Sequence, residues 1–182
     1  MFSIKYLAIY TLFLPIIASA IVGLSTRILT AIVAQIITTS AIFASVIFSM
    51  IIFDYVALEH NVVHIKLLKW VDISFFKAYW SIYIDSITAV MLVVVNLVSL
   101  LVHVYSIGYM SHDMHKQRFM SYLSLFTFFM LVLVTSDNLL QLFVGWEGVG
   151  LSSFLLIGFW FKKKSAANAA MKAFLVNRVG DI

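Results

Sequence analysis

Glu147 is a carboxylic acid set in the middle of an uncharged run, GWEGVG at 145–150, inside the apolar stretch 139–161. An ionised side chain in hydrocarbon costs about 2.5–3.5 kcal/mol on insertion scales, so an acid at such a place is by default part of a transport pathway. At about 1.5 Å per residue from Leu139, Glu147 lies roughly 12 Å into its helix, near the bilayer midplane. Gly145, Gly148 and Gly150 permit close helix approach or a loosened backbone beside it, and Trp146 supplies bulk on an adjacent face. Burial favours the neutral acid and a nearby cation favours the carboxylate, so the charge on Glu147 responds to whatever moves beside it. A proton relay requires that response. The alternative is a hydrogen-bonding anchor between helices, with the glycines serving packing alone.

A second set of polar residues falls in AANAAMKAFLVNRVGDI, residues 166–182. Arg178 and Asp181 are three apart, share a helix face, and can pair there. They fall about 20 Å into the helix, a depth that reads as an interior polar path. Lys172 is a secondary relay candidate, but a lysine near a helix end more often snorkels toward head groups. His103, four residues before the end of its span at 107, is another. Imidazole exchanges protons near neutrality, yet a lone histidine near an interface more often anchors one helix to another. His60 with His64, and His112 with His115, could each share a helix face. Both pairs fall in loops without an acidic or thiolate third ligand, so no metal site is expected. Cysteine is absent, which excludes thiolate metal sites, iron–sulfur ligation and thiol catalysis.

The elements that position these groups follow from hydropathy. Of 182 residues, 63% are hydrophobic and 11% charged, and mean hydropathy is +1.07. A soluble domain needs about a quarter of its residues charged, so a water-facing globule is excluded. A span needs about 20 apolar residues. The runs 6–24, 29–53, 86–107, 119–135, 139–161 and 166–182 predict an all-α membrane protein of about six transmembrane helices, the last the least lipid-like. Asp85 can cap the third, and Asp137 or Asn138 the fifth. Only Ser136, Asp137 and Asn138 separate the fourth and fifth spans, so these are antiparallel neighbours. Residues 54–84 read as an outer-face loop or short strands that lid that face. Ala18, Ser19 and Ala20 resemble a signal-peptide cleavage site, but the basic n-region is a lone Lys5 and the apolar run continues past it, which favours a retained span.

Net charge is +4, yet the basic residues sit in short loops and form no stripe, so nucleic acid is not an expected partner. They read instead as topology marks. One face collects Arg27, Lys116, Arg118 and the lysines 162–164 against Asp113 alone. The face of the N-terminus offsets Lys5, Lys66, Lys69 and Lys77 with Asp54, Glu59, Asp72 and Asp137. The first is the inner face and the N-terminus lies outside.

The run 136–160, SDNLLQLFVGWEGVGLSSFLLIGFW, followed by AANAAMKAFLVNRVGDI, closely resembles subunit 5 of proton-pumping NADH:ubiquinone oxidoreductase, respiratory complex I. Earlier elements agree: Asp85 opening a span, His103, Tyr105 and Ser106 before Tyr109 and Met110, then RFMSYLSLFTFFMLVLVTSDN. Similarity is specific over about 85–182; residues 1–84 match chiefly in hydropathy and layout. The resemblance implies an antiporter-like membrane-arm subunit in a mitochondrial inner or bacterial plasma membrane, its N-terminus outside. Residues 1–118 would form the N-terminal spans and outer-face loop, and 119–182 the start of a proton-translocating repeat. It also implies that Glu147, in the WEG motif, pairs with a lysine on a later helix, and that Arg178 and Asp181, in the NRxGD motif, belong to the same charge network and proton path. Nothing carries over for His103. FMN, iron–sulfur clusters and ubiquinone would reside in partner subunits, and no cofactor is expected in this chain.

Relatives are much longer and built as two inverted repeats around interrupted helices. The partner lysine is absent from these residues, so a split subunit or a fragment is expected, and alone it should not pump. Two alternatives stand: the large subunit of a multi-subunit sodium/proton antiporter, disfavoured by Gly148, Val149 and Gly150 after the glutamate, and a structural fragment that carries no proton.

Overall fold

The computed structural model describes residues 2–26, 28–73 and 76–180. The elements are α1 (Phe2–Leu24), α2 (Ala31–Phe53) continued by a π-helical turn (Asp54–Leu58), β1 (Val63–Ile73), β2 (Phe76–Ile84), α3 (Ser86–Tyr109), α4 (Lys116–Val134), α5 (Leu139–Ile157) and α6 (Lys164–Gly180). Helices α1 to α5 are each long and apolar enough to cross a membrane. The all-α membrane architecture expected from hydropathy is present. Its boundaries shift: α3 runs two residues past 107, α4 opens at Lys116 rather than 119, and α5 closes at Ile157 rather than 161. Hydropathy cannot see the last difference. Gly158 caps α5 by donating its N–H to Phe154, and Lys163 N–H closes a turn onto the Trp160 carbonyl, so 158–163 form turns despite their aromatic content.

Helix starts follow local chemistry. Asp85 caps α3 by accepting from Thr88 N–H at 2.8 Å, and that bond holds its carboxyl below the ordinary value of 3.8. Asn138 caps α5 by accepting from Gln141 N–H at 3.0 Å. Pro15 lies inside α1 and cannot donate to the Thr11 carbonyl; the Ser45 hydroxyl of α2 donates to it instead, at 3.4 Å. One turn further, Ser19 donates to the Ser121 carbonyl at 2.8 Å and Ser121 donates back to Ser19 at 2.9 Å, clasping α1 to α4.

The strands expected within 54–84 are present, preceded by the π-helical turn and the irregular residues 59–62. β1 and β2 form an antiparallel hairpin of 11 and 9 residues, with Val63 opposite Ile84 and Lys66 opposite Ser81. Register shifts at Lys66/Leu68 and Lys69/Val71 interrupt the two-residue alternation. His64 lies on β1, and His60 takes a left-handed φ of 55°, so these two histidines do not share a helix face. Val63, Ile82 and Ile84 of the hairpin join Ala8, Leu12, Ile52, Val56, Leu92 and Leu131 in the core beneath it. The core therefore belongs to α1–α4 and the hairpin.

Helix α5 joins through glycine. A Cβ on Gly145 would lie 2.7 Å from the backbone of Leu133, and one on Gly148 would lie 2.0 Å from the Phe129 ring. At the end of the bundle bearing the α3–α4 loop, Asp113 accepts from His115 N–H at 2.8 Å and from the Trp160 indole N–H at 2.9 Å. These two bonds, the backbone one larger, hold the Asp113 carboxyl below 3.8.

Gly145→Ala should destabilise the protein by about 1–3 kcal/mol, because Leu133 backbone cannot swing aside. Gly150→Ala, which meets only the terminal amide nitrogen of Asn177 at 2.8 Å, should be close to neutral. Thermal unfolding in detergent followed by circular dichroism separates them, and equal midpoints would refute the close-approach account. A depressed carboxyl contributes stability above its unfolded value, near 3.8, that is lost as pH falls through the lower folded value. Acid titration below about pH 4 should therefore release Trp160 from Asp113, seen as a change in indole fluorescence that Asp113→Asn removes.

Candidate functional site

Helix α5 presents two different faces. Gln141, Gly145, Gly148 and Ser152 are buried at intervals of three and four, the spacing of one helical stripe, and the two glycines meet α4. Glu147, Gly150 and Phe154 form a second stripe toward α6. Its partners run antiparallel. Gly158 approaches Ala170, the Phe154 and Phe174 rings meet at a tilt with centroids 5.4 Å apart, Gly150 faces Asn177, and Glu147 forms an ion pair with Arg178. Glu147 has eight residues of α5 before it and ten after, so the acid stands at mid-helix. Its side chain is 19% exposed and that of Arg178 49%. The guanidinium also lies 5.2 Å from the Phe174 ring centroid, one turn earlier on α6, which shields its apolar side.

Glu147 and Arg178 are thus brought together across 31 residues of sequence. Arg178 finds its acid on another helix; Asp181, the intrahelical partner expected from spacing, lies outside the described residues. Lys172 is exposed on α6 and makes no ion pair among the described residues. His103 is fully buried between α3 and α4. Its Nδ1 donates to the Ser99 carbonyl at 2.8 Å, and its Nε2 lies 3.0 Å from the Ser124 hydroxyl. Ser99 and Thr127 hydroxyls meet at 2.6 Å one turn away. Those are the bonds of a helix-to-helix anchor, and among the described residues none leads to α5.

A polar cluster at the opposite end of α5 was not anticipated. Asp137 Oδ2 lies 3.0 Å from His64 Nε2 and accepts from the Ser81 hydroxyl at 2.8 Å. Ser81 N–H donates to Gln141 Oε1 at 3.0 Å, Asn138 donates to the Tyr79 carbonyl at 2.8 Å, and Tyr83 N–H donates to the Thr135 carbonyl at 3.0 Å. The hairpin is latched to the α4–α5 turn. Gln141 is fully buried, with its Nε2 unpartnered, and an uncharged amide six residues before Glu147 in the same apolar run was the available signal. Among the described residues no three His, Asp or Glu side chains gather as metal ligands. The arrangement offers proton chemistry at one carboxylate facing one permanent cation.

Two family models match the chain. Residues 70–120 match "NADH-Ubiquinone oxidoreductase (complex I), chain 5 N-terminus", and residues 136–182 match "NADH:quinone oxidoreductase/Mrp antiporter, TM". NADH-quinone oxidoreductase subunit L of Rickettsia bellii is 53% identical over 177 residues, 97% of this chain and 28% of that protein. NADH-ubiquinone oxidoreductase chain 5 of Arabidopsis thaliana is 52% identical over 169 residues, 93% of this chain and 25% of that one. Chain 5 of Rhizopus stolonifer is 48% identical over 176 residues, 97% of this chain and 27% of that one. The chain spans about a quarter of the length of the curated relatives it matches. With the Glu147–Arg178 pair falling inside the matched transmembrane segment, the chain belongs to the subunit L/chain 5 family of NADH:quinone oxidoreductase.

Proposed function

We propose that this chain serves a proton-translocating membrane subunit of respiratory NADH:quinone oxidoreductase, coupling quinone reduction in partner subunits to proton movement through buried charges. The observation that carries it is the mid-helix Glu147 turned toward Arg178 of α6 rather than toward lipid. An arginine stays protonated at any accessible pH, so Arg178 cannot be the group that exchanges protons. It is the lever, and Glu147 is the carrier. The guanidinium balances the carboxylate charge, and the proposed coupling is the making and breaking of that contact. A lysine on a companion helix, as the family resemblance implies, would compete with Arg178 for the carboxylate and pass the displacement onward.

In this reading the proton-handling part begins near residue 119, with residues 1–118 as its framework. Asp181 extends the polar path beyond Arg178. Lys172 lies toward the inner face, the N-terminus faces outward, and the membrane is a mitochondrial inner or bacterial plasma membrane. FMN, iron–sulfur clusters and quinone belong to other subunits, and the chemistry here is proton transfer alone. The family model over 136–182 is shared with multi-subunit antiporters, which keeps sodium/proton exchange as the second reading.

Glu147→Gln in the assembled complex should lower NADH-driven proton translocation about tenfold or more, equivalent to roughly 1.4 kcal/mol or more on the transfer step. Arg178→Lys should retain more translocation than Arg178→Gln. Proton uptake by vesicles per NADH oxidised measures both. Unchanged translocation in Glu147→Gln would leave the ion pair a structural anchor. Sodium-dependent exchange without NADH would favour the antiporter.

A further inference from the structure

We infer that the joint between α5 and α6 is a binding site for one anionic phospholipid, its phosphate held in a basic cavity and an acyl chain seated in the adjoining slot. Two cavities meet there. The first, about 340 Å³, is lined by His112, Asp113, His115, Trp160, Lys162 and Lys163. The second, about 290 Å³, runs between the last turn of α5 and the first turns of α6, with Phe154, Leu155, Gly158, Ala167, Ala170 and Met171 along it and Arg118 at its edge. Phe159 and Phe161 line both, so the cavities adjoin.

Their chemistry differs as the two ends of a lipid differ. In the first, two lysines face one aspartate, and that aspartate is engaged by the His115 amide and the Trp160 indole. Lys163 Nζ lies 5.3 Å from the centre of the Trp160 ring, which holds an ammonium over the cavity wall. Lys162 makes no ion pair among the described residues and is exposed. In the second cavity Arg118 is the one charge, with its guanidinium 3.1 Å from the Tyr122 hydroxyl. Basic cavities at the ends of spans, beside a lipid-facing cleft, match anionic head groups in charge and depth. The slot lies at the ends of α5 and α6, where a lipid's first carbons are found. Ala170, the buried residue of α6, lines this slot. This inference does not depend on the proton-transfer reading.

The test uses the full chain in phosphatidylcholine vesicles containing spin-labelled phosphatidylglycerol or spin-labelled phosphatidylcholine, reading the motionally restricted fraction of each. Phosphatidylglycerol should be favoured about threefold at low salt. The double variant Lys162→Gln/Lys163→Gln, altered only at exposed side chains, should lose most of the preference. Ala167→Phe fills the slot and leaves every charge in place; it should also reduce the preference, with helicity checked by circular dichroism for both. Equal association of the two lipids, or a preference that survives the lysine substitutions, would overturn the site. A preference unaffected by Ala167→Phe would reduce it to diffuse surface attraction and overturn the seated lipid. Loss of preference in millimolar inorganic phosphate, but not in chloride of the same ionic strength, would make it a phosphate site and refute the lipid.

Discussion

Hydrocarbon offers no hydrogen-bond partner, and the helix contacts of this protein follow from that constraint. The Thr11 carbonyl freed by Pro15 meets Ser45 of the next helix, and the Ser19–Ser121 clasp and the His103–Ser124 contact tie α1 and α3 to α4. Each bond satisfies a polar atom that lipid would leave bare and fixes one helix against another. The outcome is a bundle of α1–α4 closed above by the hairpin, held by apolar packing at one end and hydroxyl seams along its length. Glu147 obeys the same rule with a larger penalty, because the group to be satisfied is an acid.

How the chain meets that requirement divides it in two. Helix α5 is plated onto the bundle through Gly145 and Gly148, contacts that leave no room for a Cβ and allow no sliding without collision. Helix α6 touches α5 through Ala170, Phe174, Asn177 and Arg178. The acid is carried by the helix packed onto the bundle and the cation by the helix that follows it.

What the sequence could disclose was local. Apolar runs fixed where helices cross, and Asp85 and Asn138 marked starts because capping involves residues only three apart. His103 read as either a relay or an anchor, and its partners are Ser99 and Ser124. Chain ends of spans were misjudged where turn bonds overrule hydropathy, as at Gly158 and Lys163. The hairpin was undersized because two register shifts break the alternation that identifies a long strand. Glu147 was conspicuous as a lone acid, but the cation it meets is set by the antiparallel register of α5 and α6. Spacing along one helix offered Arg178 only Asp181. Gln141 escaped notice because an uncharged amide gives little hydropathy contrast, although it ties α5 to the hairpin at Ser81.

The register of the α5–α6 seam also determines how strongly motion is felt. Gly158 against Ala170 is the contact nearest the connecting turn, and Glu147 against Arg178 the farthest from it. Eleven residues separate Gly158 from Glu147, about 16 Å along the helix. A tilt of α6 by roughly 10° about the turn moves the small-residue contact little, yet carries the guanidinium about 3 Å from the carboxylate by the same rise. Coulomb attraction falls with the inverse of distance, so the ion pair feels that displacement more than any other contact of the seam. The glycine at the turn lets the helices meet closely there; the charges sit where leverage is greatest. A small tilt at the joint between α5 and α6 is thereby converted into the largest displacement at the Glu147–Arg178 pair, without any rearrangement of the α1–α4 bundle.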